Sequence, residues 1–162
     1  MTMVDVSGKP EVFREAAATG TIKLKSETVR LIKEGKVAKG NPFCVAKIAG
    51  ILAAKNTSSM IPLCHPIPLT SVKIDIDFLD KSTVQVTSTV KTKAQTGVEM
   101  EALSATSVAL LTIWDMIKQY EKDARGQYPS TAIESIRVIR KIKEGKTGRG
   151  AGNERKHTKT QG

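Results

Sequence analysis

Apolar positions along the chain follow two different periods. Val72, Ile74, Ile76 and Phe78 alternate with polar residues, and so do Val84, Val86, Ser88 and Val90. That spacing predicts two half-buried strands, with Asp80-Lys81 at the turn between them. Thr21 to Leu24 reads as a short strand near the start, and Ile136 and Val138, with Arg140 and Ile142, as a last one. Ser26 is placed to cap a helix that stops at about Gly35. Asn41-Pro42 opens a second helix through about Lys55, with Val45, Ile48, Ile51 and Leu52 on one face. The run TGVEMEALSATSVALLTIWDMIKQYEKD predicts a long helix, opened by a Thr96–Glu99 capping box. The order β-α-α-β-β-α-β predicts an α+β fold: the ferredoxin-like split βαβ plan, with an antiparallel four-stranded sheet and one extra helix.

The long helix is apolar or small over too much of its circumference to keep one side in water. Val98, Met100, Leu103, Ala105, Val108, Leu110, Leu111, Ile113, Trp114, Met116 and Ile117 are spread around it. One side fits the sheet, and the rest calls for another partner, most simply a second subunit. The small residues Ser104 to Ser107 suit such a close approach. Glu101, Val108 and Asp115 fall near one line, with Lys118 three residues beyond Asp115. An exposed i, i+3 ion pair contributes a few tenths of a kcal/mol. A pair set between Trp114 and Met116 is expected to be buried instead, and a buried Asp–Lys couple suits proton transfer. Glu101 and Asp115 lie about 21 Å apart along the axis, so they belong to separate pockets, to a long ligand or to pockets between subunits.

Length and composition limit the alternatives. A chain of 162 residues with 40% hydrophobic content supports one domain with a real core. Only Cys44 and Cys64 are present, too few for a disulfide scaffold, and with His65 and His157 they make a poor zinc set. The N-terminal residues lack an apolar signal segment, and no purely apolar run has membrane-spanning length. The expectation is a cytoplasmic protein with reduced thiols and no membrane partner. The net charge of +10 asks for an anionic partner. Residues 143–162 hold six Lys or Arg and two Glu, hence +4 of that charge, and almost nothing apolar. They predict a basic mobile tail after a single domain spanning 1–142. Gly145-Lys146-Thr147 imitates the end of a phosphate-binding loop, but Arg140 stands where the earlier glycine is required.

Two further features carry chemistry. In IPLCHPIP, Pro62, Pro66 and Pro68 stiffen a loop that presents Cys64 beside His65. Neighbours on an extended segment point to opposite sides, which disfavours a direct thiolate–imidazolium pair. Lys39, Lys55, Lys91, Lys93, Lys118 and Lys141, with the helix start near Thr96-Gly97, form a candidate set for phosphates. An RNA-binding sheet is the rival reading of a basic protein on this plan, yet the hairpin strands offer only Phe78 for base stacking.

Three motifs then resemble a known family. Ile61-Pro62-Leu63-Cys64-His65-Pro66, Thr96-Gly97-Val98-Glu99-Met100-Glu101-Ala102-Leu103 and Trp114-Asp115-Met116-Ile117-Lys118, after an opening Met3-Val4-Asp5-Val6-Ser7, look like the molybdenum cofactor biosynthesis protein C family. These are the cyclic pyranopterin monophosphate synthases, and the resemblance covers about residues 3 to 148. It implies a ferredoxin-like lyase that converts 3′,8-cyclo-7,8-dihydro-GTP, supplied by a partner radical enzyme, into cyclic pyranopterin monophosphate and pyrophosphate. It implies a hexamer, a trimer of dimers, with active sites between subunits, and no nucleic acid. By motif, Asp115 and Lys118 match the catalytic pair. Leu63, Cys64, His65, Met100 and Glu101, with Glu99 beside them, match substrate-binding segments, and Lys39 matches a basic site residue. Lys141 matches the last site lysine, with Lys143 as the alternative, because the stretch from Lys141 to Gly148 is one residue longer than the family's usual one. Trp114 replaces the usual Tyr. No cofactor and no protein metal site are implied; magnesium carried by the triphosphate is left open.

Overall fold

The computed structural model describes residues 1–144. The elements are β1 (Val12–Lys23), α1 (Ser26–Lys33), α2 (Pro42–Lys55), α3 (Thr57–Met60), β2 (Leu69–Phe78), β3 (Thr83–Ala94), α4 (Glu99–Glu121) and β4 (Ala132–Glu144). The strands form one antiparallel sheet in the order β2-β3-β1-β4, which is the ferredoxin-like arrangement expected from the pattern. The hairpin is as predicted: Val72, Ile74, Ile76 and Phe78 stand opposite Val90, Ser88, Val86 and Val84. At its turn, the Ser82 N–H and hydroxyl donate to Asp80 Oδ1 at 2.7 and 3.2 Å. β4 carries Lys143 and Glu144, the first two residues assigned to the tail; residues 145–162 lie outside the described residues, as does the expectation that they are mobile.

β1 is far longer than the short strand predicted. Its stretch from Arg14 to Gly20 lacks alternation because it is an inner strand between β3 and β4 and is buried on both faces. Small residues there let α4 lie close. A Cβ on Gly20 would come within 2.8 Å of Leu110 Cδ1 and 3.3 Å of Thr106 Cγ2. Two buried hydroxyls seal the contact: Ser88 Oγ and Thr106 Oγ1 share a hydrogen bond, and Thr106 donates to the Ala18 carbonyl at 3.3 Å. β4 keeps pace with β1 through two register shifts, and Ser135 takes φ 57°.

Of the apolar face predicted on α2, Ile51 packs on the core and the other three residues turn outward. Pro42, Ala46, Gly50, Ala53 and Ala54 are buried, whereas Val45, Ile48 and Leu52 are 43%, 57% and 54% exposed. Only small residues fit, because α4 presents Ala105 and Ala109 there and the Ala105 carbonyl would lie 2.9 Å from a Cβ on Gly50. The small stretch Ser104 to Ser107 therefore serves, in part, a helix of the same chain: Ala105 and Thr106 are fully buried against it and the sheet. Helix α4 has the length and hydropathy of a membrane span, but half of that stretch is buried in this core.

Two caps also differ from expectation. Asn41 behaves as predicted, its Oδ1 accepting from the Phe43 and Cys44 amides at 3.0 and 3.1 Å. Ser26 does not cap α1; Lys25 holds that position, and its N–H is taken by the fully buried Glu121 carboxylate at 3.0 and 3.2 Å. The Lys25 ammonium in turn donates to the carbonyls of Tyr120 and Lys122 at the end of α4. The two helix ends cap each other. The Thr96–Glu99 capping box is absent too: α4 begins at Glu99, Val98 is its N-cap, and the Glu99 carboxylate pairs with Lys141.

On an open helix surface, Gly→Ala stabilises by about 1 kcal/mol. At Gly50 the added methyl meets the Ala105 backbone, which a rotamer change cannot clear, so Gly50→Ala should lower stability by roughly 1–3 kcal/mol in denaturant titration.

Candidate active site

The sequence-predicted residues gather in two clusters at opposite ends of α4. At the C-terminal end, Asp115 Oδ1 accepts from Lys118 Nζ at 2.7 Å, and Oδ2 accepts from Lys39 Nζ at 2.9 Å. Helical spacing supplies the first pair. The second depends on the loop after α1, which turns at Gly35 (φ 67°) and Gly40 (φ 95°). The loop is pinned by Tyr120, whose hydroxyl accepts from the Ala38 amide at 2.8 Å. Lys39 also donates to the Asp115 backbone carbonyl at 2.9 Å. A cavity of about 400 Å³ opens here, lined by Leu111, Trp114, Asp115, Lys118 and Ile133.

The expected burial of Asp115 is not found. Its side chain is 56% exposed, so within one chain the pair is a surface pair. Hydrogen bonds from Lys118 and then Lys39 hold the carboxyl down at about 2. The Asp115 partner raises the Lys118 ammonium above its ordinary value. At neutral pH the couple is therefore carboxylate and ammonium.

The second cluster surrounds the N-terminus of α4. Leu63, Cys64, His65, Met100 and Glu101 line a cavity of about 290 Å³, together with Val4, Val6, Lys9, Ile67, Thr96 and Gly97. Glu101 is 4% exposed. Burial raises its pKa, and the like charge of Glu99 adds to the shift. Burial also raises the Cys64 thiol, and the Glu101 charge does so further, so Cys64 is held as a thiol. His65 turns to another partner, Val4: a carbonyl only accepts, so Nε2 carries hydrogen in this 2.7 Å bond. No Cys–His nucleophilic pair forms. Glu99 and Lys141 bond each other beside this cavity; neither lines it.

The lysines do not converge in one chain. Lys39 and Lys118 hold Asp115, and Lys141 holds Glu99. Lys91 lies 3.3 Å from Glu15, and Lys55 lines a third cavity with Ile51, Leu69 and Thr70. Glu15, Glu121 and Tyr120 escaped the sequence reading. Glu15 sits in a strand without alternation, buried under Arg140 at 2.5 Å; the other two occupy the last turn of α4, where they look like solvated residues. Among the described residues, no three His, Cys, Asp or Glu side chains converge to hold a metal. Phe78 packs on Phe43 at 5.1 Å with the Lys33 ammonium over its ring, on the helix side of the sheet. The other side carries such residues as Thr19, bonded to Thr87, instead of a row of stacking aromatics.

The fold, with one charged cluster at each end of α4, defines a ferredoxin-like α+β protein. The model of the MoaC family matches residues 3–145. Probable cyclic pyranopterin monophosphate synthases of three archaea are similar over nearly their whole length. That of Pyrococcus furiosus is 59% identical over 142 residues, 88% of this chain and 90% of its own. That of Sulfurisphaera tokodaii is 60% identical over 141 residues, 87% and 93% of the two chains. That of Archaeoglobus fulgidus is 57% identical over 144 residues, 89% and 92%. The chain belongs to the MoaC family.

Glu101 provides a pH test. A carboxyl with a raised folded pKa binds its proton more tightly folded than unfolded. Stability therefore falls as pH rises from the ordinary value of 4.5 toward the raised one. Glu101→Gln should raise the Tm at pH 7, and the gain should vanish below about pH 4 in a thermal-melt series.

Proposed function

We propose that this chain acts as a cyclic pyranopterin monophosphate synthase of molybdenum cofactor biosynthesis, working as a homo-oligomer whose active sites are each built from two subunits. One observation carries the second half of that reading: the two clusters lie at opposite ends of α4. Asp115 and Glu101 are fourteen residues apart, about 21 Å along the axis. The acid–base couple and its open cavity lie at one end, and the pocket lined by Leu63, Cys64, His65, Met100 and Glu101 lies at the other. A second subunit that sets its α4 N-terminus against the Asp115 end unites them. The exposed apolar residues on α2, with Leu111 at 58% exposure and Ile139 at 51%, support association. The assembly proposed is a hexamer, a trimer of dimers, in line with what the family resemblance implies.

The substrate is the cyclised GTP, 3′,8-cyclo-7,8-dihydro-GTP, made by a radical enzyme; the products are cyclic pyranopterin monophosphate and pyrophosphate. Opening the purine-derived ring and rebuilding it as a pterin requires several proton transfers. Lys118 donates, and Asp115 receives protons once the partner subunit and substrate desolvate it and raise its basicity. Attack of a sugar-derived hydroxyl on the α-phosphate expels pyrophosphate, and Lys39, His65 and Lys141 stabilise the charge that develops. Leu63, Cys64, Met100, Glu99 and Glu101 shape the pocket for the ring system, with Glu101 offering a carboxyl of raised pKa. Two free thiols are in keeping with a cytoplasmic enzyme.

Asp115→Asn and Lys118→Ala should each lower pyrophosphate release from the cyclised GTP at least a hundredfold and leave the oligomer unchanged in light scattering. Near-normal release by either variant would refute the assignment. Mixing unfolded Asp115→Asn and His65→Ala chains and refolding them together should restore part of the activity, because some sites then draw both intact halves. No recovery would show that each site belongs to one chain.

A further inference from the structure

The pocket around Leu63, Cys64 and His65 has a wall that the proposed mechanism does not use. The segment Val4–Lys9 crosses it, and Val4, Val6 and Lys9 all line the cavity. The segment is anchored at several points. His65 Nε2 donates to the Val4 carbonyl at 2.7 Å, and Gln95, at the end of the β1–β3 pairing, donates to the Ser7 carbonyl at 3.4 Å. Inside it, Asp5 Oδ1 accepts from the Ser7 amide at 2.9 Å, and the Lys9 amide closes a turn onto Val6 at 2.9 Å. That turn directs Lys9 to the cavity, where it is the one Lys or Arg among the described lining residues. Among the described residues, Lys9 forms no ion pair, whereas Lys39, Lys91, Lys118 and Lys141 are each held by a carboxylate.

The proposed mechanism brings substrate phosphate to His65 on the rim of this pocket, and phosphate held so near the buried Glu101 needs a further cation. We propose that Val4–Lys9 is a working strap of the substrate pocket: Lys9 binds the substrate's phosphates, and the Val4 carbonyl fixes His65 with hydrogen on Nε2 and its Nδ1 edge open. Lys9 is thus a binding residue, and the strap is a positioning element for His65. The inference rests on the reading of this pocket as the substrate site.

The test is steady-state pyrophosphate release by the full-length oligomer, with calorimetric binding of inorganic triphosphate as a second readout. Lys9→Ala should raise KM about tenfold, change kcat less than twofold, and weaken triphosphate binding by a similar factor. Lys9→Arg should restore most of both, and the KM of Lys9→Ala should respond less steeply to salt. Lys9 lies at the surface, so the fold is not at stake. Unchanged KM and unchanged triphosphate binding in Lys9→Ala would overturn the inference, as would an equal loss in Lys9→Arg. Failure of the broader reading looks different: Asp115→Asn would then keep its turnover, whatever Lys9 does to triphosphate binding.

Discussion

The contact between α2 and α4 determines most of what this chain can do. Gly50 lies against the Ala105 carbonyl with no room for a methyl group, and Ala46 and Ala109 continue the seam. Backbones that close bury little large apolar area between them, so the large residues go elsewhere. On α4, Leu110, Ile113 and Ile117 turn to the sheet and join Ile22, Val84 and Val86. On α2, Val45, Ile48 and Leu52 are left facing outward. A tight seam within the chain thus leaves greasy surface outside it, and the fold is poised for association from the outset.

The same seating fixes the chemistry at both ends of α4. The helix runs straight from the buried Glu101 to the last turn, where Tyr120 and Glu121 reach back to the loops around α1. The two ends differ in electrostatic character. At one, a carboxylate is exposed and clasped by two ammonium groups, so it is held ionised. At the other, a carboxyl is buried in an apolar wall near a like charge, so its proton is held more tightly. Opposite environments acting on two carboxyls of one helix separate their proton affinities, which acid–base catalysis requires.

Much of this was legible in the sequence. The hairpin, the Asn41-Pro42 start and the Asp115–Lys118 pair follow from local rules of period, capping and spacing, and the structure has all three. The errors share one cause: long-range burial overrides local pattern. β1 lacks alternation from Arg14 to Gly20 because both faces are covered. On α2 the apolar stripe is the conspicuous local signal, whereas the glycine and alanines beside it are what a tight helix pair selects. The reciprocal caps at Lys25 and Glu121 link residues far apart in sequence, and the Glu99–Lys141 pair that replaces the capping box spans the fold. Asp115 was expected in the interior because its neighbours are apolar; half of that interior would have to come from another chain.

β4 gives part of the net positive charge a second meaning. It is one of the two edge strands of the sheet, thirteen residues long, and a bare strand edge of that length is a template for uncontrolled pairing with other chains. Here the edge is broken by register shifts and by Ser135 at positive φ, and it carries Arg137, Arg140, Lys141 and Lys143. Arg140 and Lys141 are paired with Glu15 and Glu99, and the charges of Arg137 and Lys143 on this interrupted edge disfavour a matching strand. Some of the charge that suggests a phosphorylated ligand therefore also works as a guard against fibrous aggregation.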